Sequence, residues 1–171
     1  HVESREGEGS SFTVTLNFRI QGKEQERAGG MRGGIRDDDM DCASLAGRRI
    51  LLVEDNTLNM EIARAILGDH GLEGDGAENG QEAYERFTSS APGTYEAVLM
   101  DLQMPVMDGY QAAEAIRAVK RSDAKTIPVL ALTANAFATD IGKAHSAGMN
   151  DHVAKPIEVE RLIETLQKWL G

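Results

Sequence analysis

Cysteine is nearly absent from this sequence. Cys42 is the single one, so no internal disulfide can form, and no His or Cys stands beside it to suggest a metal site; a reducing, cytoplasmic setting fits. Basic residues are also scarce, with 18 Lys and Arg against 28 Asp and Glu and a formal net charge of -10. That balance argues against a nucleic-acid surface, which needs clustered cations to meet phosphates. Metal ions and basic partner faces suit it better. Long apolar runs are missing too. The longest mostly apolar stretch, residues 127–138, is broken by Pro128, Thr133 and Asn135 and falls short of the roughly 20 residues that span a bilayer. A soluble chain without membrane contact is expected. The sequence opens on His1 without the basic-then-apolar pattern of a signal peptide, which reads as a piece of something longer.

With 171 residues and 41% hydrophobic content, the chain can bury one core and a small appendage. Composition divides it into three zones. Residues 21–47 carry Gly29-Gly30, Gly33-Gly34 and the acidic run Asp37-Asp38-Asp39 with few large apolar side chains, the pattern of a flexible linker. Before it, Phe12, Val14, Leu16, Phe18 and Ile20 alternate with small or polar residues, which predicts a half-buried strand over 11–20. Gly7-Glu8-Gly9-Ser10 would turn the chain back onto a shorter strand around Val2. Two strands alone are not stable in water, so this zone needs partners from elsewhere.

From Arg48 onward, short apolar runs alternate with amphipathic segments. The runs are Ile50-Leu51-Leu52-Val53, Ala97-Val98-Leu99-Met100, residues 127–132 and Val153-Ala154. Each is too short for a helix and too uniformly apolar for a one-faced strand, as in a parallel sheet buried on both faces. Between and after them, four sets share helical faces: Leu58, Ile62, Ala65 and Ile66; Ala83, Tyr84 and Phe87; Ala112, Ala115, Ile116 and Val119; Val159, Leu162, Ile163 and Leu166. A further strand is expected over 72–77, although Gly74-Asp75-Gly76 is a poor strand former suited only to an edge. Alternating strands and helices imply an α/β fold with right-handed crossovers and helices on both faces.

The carboxyl ends of parallel strands open onto one rim, where ligands bind. Glu54-Asp55 follow the first run, Asp101 the third strand, Thr133 the fourth and Lys155-Pro156 the last. Separate segments thus deliver three carboxylates, one hydroxyl and one ammonium to a single edge. Crowded carboxylates repel unless a cation sits among them. Mg²⁺ is the best match, because it takes one or two carboxylates plus waters and phosphate oxygens. Asp101 could attack phosphorus while Lys155 and the metal neutralise the phosphoryl oxygens and Thr133 donates to one of them.

These residues resemble a known family. Leu51-Leu52-Val53-Glu54-Asp55-Asn56, the segment Met100-Asp101-Leu102-Gln103-Met104-Pro105-Val106-Met107-Asp108-Gly109, Ala131-Leu132-Thr133-Ala134 and Ala154-Lys155-Pro156 are similar to the response-regulator receiver domain. The resemblance covers residues 48–171. It implies a flavodoxin-like, doubly wound, five-stranded parallel sheet of order 2-1-3-4-5. It also implies that Asp101 is the phosphoacceptor, that Asp55 and Asp101 bind Mg²⁺ directly with Glu54 acting through water, and that the backbone carbonyl of Gln103 completes the protein ligands. Thr133 would be the switch hydroxyl, Lys155 the lysine that pairs with the phosphoryl group, and Lys155-Pro156 a cis bond. His152 stands where the family's mobile aromatic often sits, which makes it a second switch candidate beside its plainer reading as a surface histidine. Met104, Pro105 and Met107 read as loop packing.

Val2, Ser4, Gly7, Gly9-Ser10, Phe12, Leu16 and Phe18 resemble the last strand pair of a sensor histidine kinase ATPase domain, over residues 1–20. Followed by a linker over 21–47 and a receiver over 48–171, this implies the end of a hybrid histidine kinase, without its nucleotide-binding boxes. The expected partner is a histidine kinase or a histidine-containing phosphotransfer protein. On its own the segment would be a phosphoacceptor rather than an enzyme. A haloacid-dehalogenase-type phosphatase would need a second acid two residues after the nucleophile, where Gln103 stands. An unphosphorylated adaptor would have lost the acceptor or the acidic pair, and a nucleotide or flavin site would need a glycine-rich loop after the first strand.

Overall fold

A computed structural model of the chain describes residues 2–5, 9–12, 45–134 and 138–171. The chain divides into two compact units, His1–Gly34 and Ile35–Gly171. In the first unit, β1 (Val2–Arg5) pairs antiparallel with β2 (Gly9–Phe12). Gly9 and Ser10, expected in the turn, lie instead within β2 opposite Arg5 and Ser4. Antiparallel pairing with Arg5 and Ser4 makes both residues part of the ladder. The remainder of the strand expected over 11–20, the linker up to Ser44 and Cys42 lie outside the described residues.

The second unit alternates β3 (Arg49–Val53), α1 (Thr57–Asp69), β4 (Glu73–Ala77), α2 (Gly80–Ser89), β5 (Ala97–Asp101), α3 (Gly109–Ala118), β6 (Val129–Thr133), α4 (Ala138–Ser146), β7 (Asp151–Ala154) and α5 (Val159–Leu170). Its five strands form one parallel sheet, ordered β4-β3-β5-β6-β7. Numbered within this unit, that is the expected 2-1-3-4-5. The uniform apolar runs have a direct cause. Successive residues point to opposite faces, and both faces are covered. Leu51, Val53, Val98, Met100, Val129 and Ala131 pack with Phe87, Ala112 and Ile116 on one side. Ile50, Leu52, Leu99, Leu130 and Leu132 pack with Leu67, Leu162 and Leu166 on the other.

Strand β4 forms despite its glycines, and its packing explains why. A Cβ at Gly74 would lie 3.2 Å from Leu67 Cδ1, and one at Gly76 would lie 2.6 Å from Arg64 Nη2 and 2.9 Å from Met60 Sδ. The glycines make room for α1 to settle its long side chains over the sheet edge. The same contact corrects the face expected for α1. Met60, Ala63, Ile66 and Leu67 are buried, whereas Leu58 is 65% exposed, Ile62 46% exposed and Ala65 exposed. Two apolar stripes at helical spacing competed in this sequence, and the one that fits over Gly74 and Gly76 won.

The remaining helices match their expected faces more closely. Ala83 and Phe87 of α2, Ala112 and Ile116 of α3, and Leu162, Ile163 and Leu166 of α5 are buried. Ala113 of α3 joins the core where Ala115 was expected, and Val159 is exposed. No helical face was expected over α4, whose apolar positions are mostly alanine.

Leu45, inside the span read as linker, is fully buried in the same cluster as Leu67, Leu72 and Leu170. The Gly47 N–H also donates to the Gly71 carbonyl at 2.8 Å. The packed unit therefore takes in residues 45–47 ahead of Arg48. Leu45→Ala is expected to cost about 2–4 kcal/mol by leaving a cavity among those leucines. A urea titration checks this, and a midpoint unchanged from the parent chain would show that Leu45 is not part of the core.

Candidate functional site

Ladder register brings the chemistry-bearing residues to one rim. Met100 lies beside Val53 and Ala131, Asp101 beside Leu132, and Thr133 beside Ala154. The residues that end β3, β5, β6 and β7 therefore reach the same height. Three backbone bonds carry the ladder past the strand ends: Glu54 N–H to the Ala77 carbonyl at 3.0 Å, Leu102 N–H to the Leu132 carbonyl at 3.2 Å, and Lys155 N–H to the Thr133 carbonyl at 2.7 Å. Asn56, which follows the acidic pair, caps α1 by accepting from Leu58 N and Asn59 N. It stops the chain from continuing the strand and turns it away from the rim.

The Lys155 ammonium lies between two carboxylates, 2.5 Å from Glu54 Oε2 and 2.6 Å from Asp101 Oδ2. Glu54 is 2% exposed and Asp101 7%. Asn59 Nδ2 donates to the other Glu54 oxygen at 2.9 Å, and the Gln103 N–H donates to Asp101 Oδ1 at 3.2 Å. Burial pushes the Asp101 carboxyl above its ordinary range, opposed by Lys155 and the Gln103 N–H. For Lys155, burial acts to lower the pKa, but the bonds to Asp101 and Glu54 outweigh it and the net direction is upward. The lysine stays charged at neutral pH.

Carboxylate oxygens from Glu54, Asp55 and Asp101 all lie within 4.8 Å of one another, with Asp55 exposed. Three carboxylates against one ammonium leave an excess of negative charge. The donors are all oxygen, with no sulfur or imidazole, which fits a hard divalent cation such as Mg²⁺. Asp101, Gln103, Thr133 and Lys155 line an adjoining cavity of about 270 Å³.

Two glycine contacts hold the loop that carries Gln103. A Cβ at Gly109 would lie 2.1 Å from the Asp101 carbonyl oxygen, and one at Gly80 would lie 2.7 Å from the Met107 carbonyl oxygen. The backbones of α3 and α2 thus press directly on the segment after β5. Asp108 and Gln111 form a reciprocal cap at the start of α3. The Lys155-Pro156 bond is cis, as the resemblance implied.

Six of the seven expected site residues, Glu54, Asp55, Asp101, Gln103, Thr133 and Lys155, come together here. His152 does not. It lines a separate hollow of about 210 Å³ with Ile141, Ala144, His145 and Met149, and its Nδ1 lies 3.7 Å from Asp151 Oδ1. Sequence reasoning missed Asn59, which steadies Glu54, and the cavity-lining trio Tyr110, Asp140 and Lys143. Asn59 was findable as one turn into the helix after the acidic pair. The other three lie on helices whose inclination over the rim has no sequence signal.

A doubly wound parallel sheet with an acidic cluster and a lysine at its carboxyl rim defines a receiver-type α/β module. The model of the response regulator receiver domain matches residues 50–167, and the chain belongs to that family. It acts as the receiver of a two-component phosphorelay, a signalling module. Among its relatives, the aerobic respiration control sensor protein ArcB of Escherichia coli (strain K12) is 36% identical over 169 residues, covering 98% of this chain and 20% of that protein. The receiver domain of the sensor histidine kinase PA1611 from Pseudomonas aeruginosa PAO1, solved with magnesium coordinated in its active-site cleft, superposes with a TM-score of 0.66. It is 40% identical, over 74% of this chain and 99% of that one. The receiver domain of Ssk1 from Saccharomyces cerevisiae, crystallised with the histidine phosphotransfer protein Ypd1, gives a TM-score of 0.65 at 30% identity, over 74% of this chain and 90% of that one. The chain spans between 7% and 20% of the length of eight curated relatives it matches. Among the described residues, no helix is long and apolar enough to cross a membrane.

Proposed function

We propose that Asp101 is the phosphoacceptor and takes its phosphoryl group from a phosphohistidine, on a kinase or on a histidine-containing phosphotransfer protein. The observation that carries this reading is the Lys155 ammonium held between Glu54 and Asp101 at the edge of an acidic cluster, on the rim of an α/β sheet. A buried carboxylate is already a nucleophile and needs no separate base. Lys155 neutralises phosphoryl oxygens as they arrive beside Asp101, and Thr133 donates its hydroxyl to one of them. Asp55, Asp101 and the Gln103 carbonyl would hold Mg²⁺, with Glu54 behind them. When bound, the ion supplies charge neutralisation for the phosphoryl group.

The exposed Ile62 lines a hollow with Asn59, Lys155, Pro156 and Ile157, and the exposed Leu58 directly precedes Asn59 in α1. We assign this apolar surface, next to the acceptor, to the phosphodonor protein. Thr133 is the primary switch in this reading, and the hollow beside His152 offers that ring an inward position once the segment after β6 shifts. The alignment with ArcB over nearly the whole chain supports a hybrid histidine kinase parent, acting at the cytoplasmic side, with residues 1–20 as the tail of its ATPase domain, residues 21–44 as linker and the receiver thereafter. The segment itself is a phosphoacceptor, not an enzyme. The phosphatase reading is not favoured, because Gln103 offers no acid.

Intact mass after incubation with acetyl phosphate and Mg²⁺ tests the assignment. The chain is expected to gain one phosphoryl group, and Asp101→Asn none. Persistence of the gain in Asp101→Asn would sink it.

A further inference from the structure

The cavity beside Asp101 has a floor and a rim of different character. Asp101 and Thr133 are buried at its floor, with Lys155 half-buried beside them, while Tyr110 of α3 and Asp140 and Lys143 of α4 stand more exposed around its mouth. Among the described residues, neither Lys143 nor Asp140 makes a side-chain hydrogen bond or ion pair. The Tyr110 phenol is kept protonated by burial and by the charges of Asp140 and Asp108. Among the described residues, the mouth therefore carries one uncommitted cation, one uncommitted anion and a neutral phenol.

Phosphoryl transfer runs in line, with the attacking and leaving atoms on opposite sides of phosphorus. With Asp101 at the floor, the leaving group departs through the mouth, past Lys143. Resting on the reading of Asp101 as acceptor, we propose that Lys143 is a specificity-determining residue that favours phosphodonors whose leaving group departs as an anion. With an acyl phosphate, an Asp101 oxygen bonds to phosphorus while the bond from phosphorus to the carboxyl oxygen breaks. The electron pair stays on that oxygen, a free carboxylate is released, and no proton is exchanged. Negative charge grows at the mouth, where Lys143 meets it. With phosphoramidate, the phosphorus–nitrogen bond breaks and neutral ammonia departs, so Lys143 has no developing anion to stabilise. A phosphohistidine, which releases neutral imidazole, belongs with the second class.

The test compares phosphorylation rates of the full 171-residue chain with acetyl phosphate and with phosphoramidate, at one Mg²⁺ concentration, by intact mass over time. An exposed charge interaction of this kind predicts that Lys143→Met slows the acetyl phosphate reaction about fivefold and leaves the phosphoramidate reaction within about twofold. Lys143→Arg should keep the parent ratio, and Asp140→Asn should raise it by removing the opposing charge. Equal slowing with both donors in Lys143→Met, or no slowing with either, overturns the proposal. Failure of the parent chain to accept phosphoryl from either donor would overturn the Asp101 reading instead.

Discussion

Gly109→Ala is expected to destabilise the receiver by about 3 kcal/mol or more, at the upper end of overpacking costs. The new methyl would sit 2.1 Å from the Asp101 carbonyl oxygen, and the obstacle is backbone in the middle of the sheet, not the end of a flexible side chain. Either α3 lifts away from β5 or the end of β5 moves. Both displace Asp101 relative to Lys155 and Glu54, so phosphoryl uptake should fall together with the thermal midpoint. The pairing separates this site from an ordinary helix glycine, where alanine would stabilise. A variant as stable and as active as the parent would show that α3 does not press on Asp101.

Lys155→Met is expected to have the second large effect, and in two measurements. In metal-free buffer it leaves the Glu54 and Asp101 carboxylates buried without a cation, and breaking such a pair costs about 3–5 kcal/mol. Adding Mg²⁺ should recover part of that loss, because the acidic cluster is left with a larger excess of negative charge for the ion to offset. Phosphoryl uptake should drop by about 10²-fold or more even with Mg²⁺ present, since a donor aimed at the phosphoryl oxygens is gone. A melting series with and without Mg²⁺ reads the first effect and a mass time course the second. Unchanged uptake would remove Lys155 from the site.

Much of the fold was legible because the pattern of burial is written into residue type. A strand covered on both faces has to be apolar throughout, and Ile50-Leu51-Leu52-Val53 and Ala97-Val98-Leu99-Met100 could hardly be anything else. The places where reading failed share a cause. Leu58 and Ile62 have the same spacing as a buried stripe, and only the glycines of β4, on another element, select Met60, Ala63 and Leu67 instead. Leu45 is a lone leucine in a glycine-rich stretch, with no periodicity to announce that it joins the same buried cluster as Leu72 and Leu170.

The candidate site divides along the same line. Which residues reach the rim was legible in the sequence alone, because the last residue of a parallel strand, and those just past it, must emerge at the carboxyl rim. Asp101 and Thr133 are placed there as the last residues of β5 and β6, and Glu54, Asp55 and Lys155 by following β3 and β7, whatever the helices do. What tertiary structure decided is how those residues are engaged: the Lys155 ammonium between Glu54 and Asp101, the support of Glu54 by Asn59, the pressure of Gly109 on the Asp101 carbonyl, and the presence of Tyr110, Asp140 and Lys143 at the mouth. Strand order and register are local and periodic, so they can be read along the chain. The tilt of a helix across a sheet is set by many distant side chains at once, and with it the choice of which of its residues overhang the rim.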